Sequence, residues 1–192
     1  MPESCTELSY NRTKAVAYAH YWAYRRNPAY LDFSEIGGNC TNFVSQCLYA
    51  GSGVMNYTPT FGWYYINSED RTASWTGVEF LYNFLTQNTS SGPYGSETGL
   101  SGIASGDVVQ FANEEGKFVH TALITLVPPV RRYSTVLVAA HSNDSDCRPL
   151  DTYAFPVMRF IHIDGVRSCK DGNTEQPTDR NSPPSKFYRP VF

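Results

Sequence analysis

At 192 residues the chain has room for one domain, or at most one and a half at roughly 150 residues each. Fifteen Lys and Arg against 18 Asp and Glu leave a formal net charge of −3, which excludes a protein built to track nucleic-acid phosphates. Only 17% of residues are charged while 15% are aromatic, so disorder is excluded for most of the length, and no apolar run approaches the ~20 residues of a membrane span.

The first predicted element is a helix over 11–26, NRTKAVAYAHYWAYRR, with Ala15, Tyr18, Ala19 and Trp22 along one face. Pro28 stops it, because the residue before a proline avoids the helical region. A second helix follows Gly37 and Gly38, with Asn39 as its N-cap. Cys40, Phe43, Val44, Cys47 and Leu48 then recur at the spacing of one buried helical face, and Gly51 is the expected terminating glycine. Seven residues of helix separate Cys40 from Cys47 by about 10.5 Å, too far for a disulfide. Residues 52–75 read as an aromatic loop. A third helix is expected from Thr76, with Thr76 and Glu79 as a capping box, followed by a Gly/Ser/Pro-rich connector over 90–105. Four apolar, β-branched runs close the pattern, at 107–112, 118–127, 135–141 and 157–163. Their spacing suits an antiparallel sheet. Helices first and strands afterwards predict an α+β fold over residues 1–164, with 165–192 as a polar tail or strap anchored by its terminal FYRPVF.

Five cysteines leave at least one thiol unpaired in a monomer, and no CxxC supports a zinc ribbon or a thioredoxin motif. Cys147 and Cys169 both flank loop-like sequence and could pair. The opening MPESCTELSYNRTK lacks the apolar stretch of a secretory signal. Cys40 stands out because a helix start is one of the few places that lowers a thiol pKa, whereas Cys47 reads as a small buried hydrophobe. A cysteine nucleophile needs a base. Among the histidines, His20 reads as a helix packing residue and His162 as the weakest candidate. His120 lies in a strand where alternation gives it the face of Phe118, Ala122, Ile124 and Leu126, and His141 ends the next strand on the face of Leu137 and Ala139. Cys at a helix start, His in a strand and a polar residue at the next strand is the arrangement of a Cys–His–polar triad. Rival chemistries are weaker. A zinc site from His120, His141 and Asp144 or Cys147 has no recognised spacing. NDSD (143–146) lacks the Gly and Glu of a calcium loop, and nothing sets Asp32 and Glu35 across a sugar. No metal and no organic cofactor is expected. The aromatic stretch 57–75, Trp63 included, reads as core and loop packing or as the wall of a groove for a peptide or glycan strand.

The segment GGNCTNFVSQCL (37–48), with NPAYLDF (27–33), GDVVQF (106–111), HTALIT (120–125) and AAHSND (139–144) in that order, resembles the bacterial putative-amidase domains. These are relatives of the NlpC-type and CHAP-type cell-wall hydrolases, and the likeness covers most of residues 11–163. It implies a papain-like, NlpC-related fold with N-terminal helices packed on the sheet. It also implies Cys40 as nucleophile, His120 as base and His141 as the residue that orients His120. Asn143, just past that strand in a turn, is the alternative third residue. The chain departs from the pattern at Asn39, commonly Asp in these relatives; Asn caps a helix about as well. Asn39 and Trp63 are further candidates on the substrate side. The implied activity is cysteine-dependent hydrolysis of amide bonds in bacterial cell-wall peptide (peptidoglycan), by a monomer at the cell envelope or outside the cell. Two rivals share the fold: a catalytically silent surface-binding module, and an acyl transferase that uses the same thioester.

Overall fold

In the computed structural model, which describes residues 4–170, four α-helices pack on a seven-stranded antiparallel sheet. This is the α+β architecture that the order of patterns predicts. Helix α1 spans Arg12–Trp22, opened by Asn11, whose side chain accepts the Lys14 N–H at 2.9 Å. It buries Ala15, Tyr18 and Ala19 and ends earlier than the pattern predicts, in a turn closed by the Arg25 N–H on the Trp22 carbonyl. Helix α2, Cys40–Ser52, buries Phe43, Val44, Cys47 and Leu48 completely. Its terminator is Gly53 at φ 66°, not Gly51. Gly51 serves a different need: a Cβ there would come within 2.4 Å of the Tyr10 ring, so only glycine lets the helix approach that closely.

The expected capping box does not form. Thr76 ends the short helix α3, Ala73–Thr76, and Gly77 precedes helix α4, Val78–Gln87. Glu79 instead pairs with Arg159 at 3.2 Å.

The strands are β1 (Ser4–Leu8), β2 (Gly92–Thr98), β3 (Val108–Ala112), β4 (Phe118–Leu126), β5 (Leu137–Ala140), β6 (Ser145–Pro149) and β7 (Val157–Lys170). Three of them are not predicted: β1 lies in the opening segment, to which no element is assigned, β2 in the expected connector and β6 in the expected turn. The long β7 pairs with β2 along one edge and with β3 and β1 along the other, and β3, β4, β5 and β6 follow in order. Strand β7 continues through position 164, so the boundary expected between domain and tail falls inside a strand. The terminal FYRPVF lies outside the described residues. Cys169 stands opposite Cys5 in the β1–β7 register and the two form a disulfide, so Cys169 does not pair with Cys147.

Each sheet face carries its own core. Val108, Leu123, Ala139 and Ile161 pack with α1, α2 and α4, while Val109, Phe111, Ala122, Val138 and Phe160 pack on the other side with Ile103 and Tyr153. Among the described residues no helix is long and apolar enough to cross a membrane.

Candidate active site

The first two turns of α2 carry polar side chains that are buried and satisfied one by one. Thr41 Oγ1 meets Thr121 Oγ1 on β4 at 3.1 Å. Asn42 donates to the Leu31 carbonyl at 3.1 Å and accepts from the Trp75 indole at 2.9 Å. Ser45 donates to the Trp75 carbonyl and accepts from the Trp63 indole, and Gln46 accepts from the Tyr18 hydroxyl at 2.8 Å. Polar groups taken from water need such partners. The density of Thr, Asn, Ser and Gln on a buried helix is the signal by which the sequence marks these positions, and Thr41, Asn42 and Thr121 are site-building residues that periodicity alone passes over.

Asn39 occupies the N-cap position without capping. Its Oδ1 accepts the Phe33 N–H at 3.1 Å and the Asn42 amide at 2.8 Å, and its Nδ2 donates to His141 Nδ1 at 2.7 Å. The Asn39 side chain therefore caps none of the donors of the first turn of α2. Cys40, 7% exposed, sits at that turn with its sulfur 3.8 Å from the Thr41 hydroxyl. Uncapped N–H groups beside a thiol can receive an oxygen that becomes negative during acyl transfer.

His141 is placed differently from expectation. It lies one residue past β5, is 1% exposed, and stacks on Phe43 with ring centroids 4.0 Å apart. Its Nε2 donates to the Trp22 carbonyl at 2.9 Å while Nδ1 accepts from Asn39, an arrangement that selects one neutral tautomer. Burial, the largest influence, lowers its pKa. Both ring nitrogens are thus committed elsewhere, so His141 holds Asn39 and does not orient His120.

His120 lies on β4, on the face of Ala122 and Ile124 that alternation gives it, but Phe118 does not share that face. A bulge at the start of the strand pairs Phe118 with Ala112 and His120 with Phe111, which turns Phe118 and His120 to opposite faces. The His120 ring packs with Phe111, Tyr153 and Phe155 at centroid distances of 5.5, 5.8 and 6.2 Å. Burial first, and the Arg148 guanidinium second, push its pKa down to about 4. Among the described residues no hydrogen bond joins Cys40, His120 and His141 to one another. The Thr41–Thr121 contact joins the residues that follow Cys40 and His120 in sequence.

The remaining candidates separate cleanly. Trp63 is fully buried, 4.8 Å from the Trp75 ring centroid and 5.8 Å from that of Phe84, so it is core and no wall of a groove. Asn143 is exposed in the β5–β6 turn at φ 72°. His162 bonds the buried Asp107 carboxylate at 2.7 Å, a structural pairing. The thiols differ in surroundings too: Cys47 is fully enclosed and burial raises its pKa. In a Cys147→Ser background, native alkylation followed by mass spectrometry is expected to modify Cys40 at least about tenfold faster than Cys47; equal rates would remove the distinction between the two.

Residues 9–163 match the family described as "Putative amidase domain". The uncharacterized protein YhbB of Bacillus subtilis (strain 168) is 33% identical over 165 residues, which is 81% of this chain and 51% of that protein. The chain thus spans about half the length of this curated relative. No solved structure matches.

Proposed function

Because the chain belongs to the putative amidase domain family, we propose that it is an amide hydrolase with Cys40 as its nucleophile and His120 as its general base. The observation that supports this best is the start of α2: a thiol at a helix turn whose donors the Asn39 side chain leaves uncapped, next to Thr41, which meets Thr121, the strand residue that follows His120. Cys40 sulfur attacks the amide carbonyl carbon while His120 takes the thiol proton. The resulting oxyanion lies against the N–H groups of the first turn of α2. His120 then gives the proton to the leaving amine, the C–N bond breaks, and water hydrolyses the thioester to a carboxylate. The reaction requires the His120 ring to rotate out of its aromatic neighbours towards Cys40 when substrate binds, since catalytic hydrogen bonds often close only in the complex. His141 acts through Asn39, keeping that amide turned away from the helix donors. We read the fold as papain-like and NlpC-related, and the substrate as bacterial cell-wall peptide met at the envelope or outside the cell.

Incubation with purified peptidoglycan, followed by mass analysis of the products, tests this reading; one new amine and one new carboxyl terminus per cut are expected, and an unchanged polymer would contradict it. The pH profile adds a second check. Burial holds His120 neutral down to about pH 4, so the acid limb of kcat/KM is expected near 4, well below the ordinary imidazole value of 6.5. A limb at 6.5 would assign the base elsewhere. The same shift has a sign for stability. Between about pH 6.5 and 4 the unfolded chain takes up a proton that folded His120 refuses, so stability is whole above this window and falls through it. The gap between 6.5 and about 4 amounts to about 3 kcal/mol at 1.36 kcal/mol per pH unit.

A further inference from the structure

A second group of reactive side chains converges well away from Cys40 in sequence. His20, in the last turn of α1, meets Asp146 and Cys147 of β6, and one ligand atom from each lies within 4.8 Å of the other two. The His20 ring nitrogen Nδ1 is 2.8 and 2.9 Å from the two Asp146 oxygens. Adjacent strand residues ordinarily point to opposite faces. Here they do not, because β6 carries a bulge: Val138 pairs with Arg148 and Ala140 with Ser145, which leaves Asp146 and Cys147 both opposite Ala139. Cys147 takes φ 53°, a conformation that a side-chain-bearing residue rarely adopts, and the thiol thereby joins the carboxylate on the side facing His20.

We infer that His20, Asp146 and Cys147 form a binding site for a borderline-soft divalent cation of the zinc class. Thiolate, imidazole and carboxylate are the three side-chain donors that zinc accepts, and three protein ligands with one open position describe an accessible zinc centre. Tetrahedral ligands at about 2.0–2.3 Å from the ion stand about 3.5 Å apart, so the observed separations close with side-chain movements of about 1 Å. On binding, Cys147 loses its thiol proton to solvent, the proton on His20 Nδ1 that bonds Asp146 passes to Nε2 or to solvent, and the sulfur, Nδ1 and a carboxylate oxygen bond the cation; no oxidant or reductant is involved. The ion clasps β6 to α1 two residues before Trp22, whose carbonyl holds His141, so the clasp reinforces the docking of the β5–β6 turn without entering the chemistry at Cys40.

Titration of the full chain with Co2+ tests the site. One equivalent is expected to produce a near-ultraviolet thiolate-to-cobalt band that Zn2+ then abolishes, and Zn2+ is expected to raise Tm. Cys147→Ser should eliminate the band, and His20→Gln, a change on an exposed helix face that leaves folding intact, should weaken Zn2+ binding by at least about a hundredfold. Cys40→Ala should leave band and affinity unchanged. Absence of the band in the parent protein, its persistence in Cys147→Ser, or an unaltered Zn2+ affinity in His20→Gln would each overturn the inference.

Discussion

Cys40→Ala is expected to lower amide hydrolysis by at least about 10^4-fold while the protein remains folded. The size follows from the step removed: without the sulfur no thioester forms, and the residual rate is what the helix donors and binding supply to a water attack. The stability cost is small because the side chain loses one sulfur atom, whose polar contact among the described residues is the long one to the Thr41 hydroxyl at 3.8 Å. Loss of one buried atom costs about 1 kcal/mol, which thermal unfolding would register as a minor shift. Cys40→Ser, nearly isosteric and a far weaker nucleophile at the same turn, should behave likewise. Activity near the parent level in either variant would remove Cys40 from the mechanism.

The largest effect on stability is expected at Asp107. This carboxylate is completely buried and accepts from Arg12 at 2.5 Å, the Ala104 N–H at 2.7 Å, His162 at 2.7 Å and the Ile163 N–H at 3.0 Å. It joins α1, the loop before β3, and β7 at one point. Asp107→Ala strands the two backbone donors and removes the acidic partner of Arg12, which corresponds to about 3–5 kcal/mol. At roughly 2–4 °C per kcal/mol for a chain of this size, Tm should fall on the order of 10 °C, as calorimetry would read directly. A change of less than about 1 kcal/mol, the ordinary cost of a surface substitution, would mean that the buried network is not the structural joint described above.

The elements that were legible in the sequence are those whose apolar residues repeat with a regular period. Helices α1 and α2 and strands β3, β4, β5 and the first half of β7 all carry such patterns, and the α+β order follows from them. Strands β1, β2 and β6, with sequences SCTEL, GPYGSET and SDCRP, have no such period. They are strands because partner strands offer them backbone hydrogen bonds, a tertiary cause that local propensity does not express. Gly95 in β2 illustrates this: a Cβ there would stand 2.2 Å from the His162 carbonyl oxygen, so the glycine that reads as loop is what lets the strand lie close.

At the site, Cys40 at a helix start was legible, but the relations among the histidines were not. Alternation gives His120 its face with Ala122 and Ile124, misplaces only Phe118 beyond the bulge, and carries no information on which partners the ring nitrogens find. Likewise an asparagine before a helix reads as a cap, whereas Asn39 finds a distant partner in His141, 102 positions along the chain. His20 read as a packing residue because its partner Asp146 lies 126 positions away, beyond any local pattern.

Acid-quenched intact-mass spectrometry during turnover of a peptidoglycan fragment tests the central claim most directly. A transient adduct equal to the acyl part of the fragment is predicted, mapped by digestion to the peptide that begins α2 and bonded to Cys40 as a hydroxylamine-labile thioester. Hydrolysis at the parent rate by Cys40→Ala, with an acyl adduct on another residue of the parent protein, would contradict it.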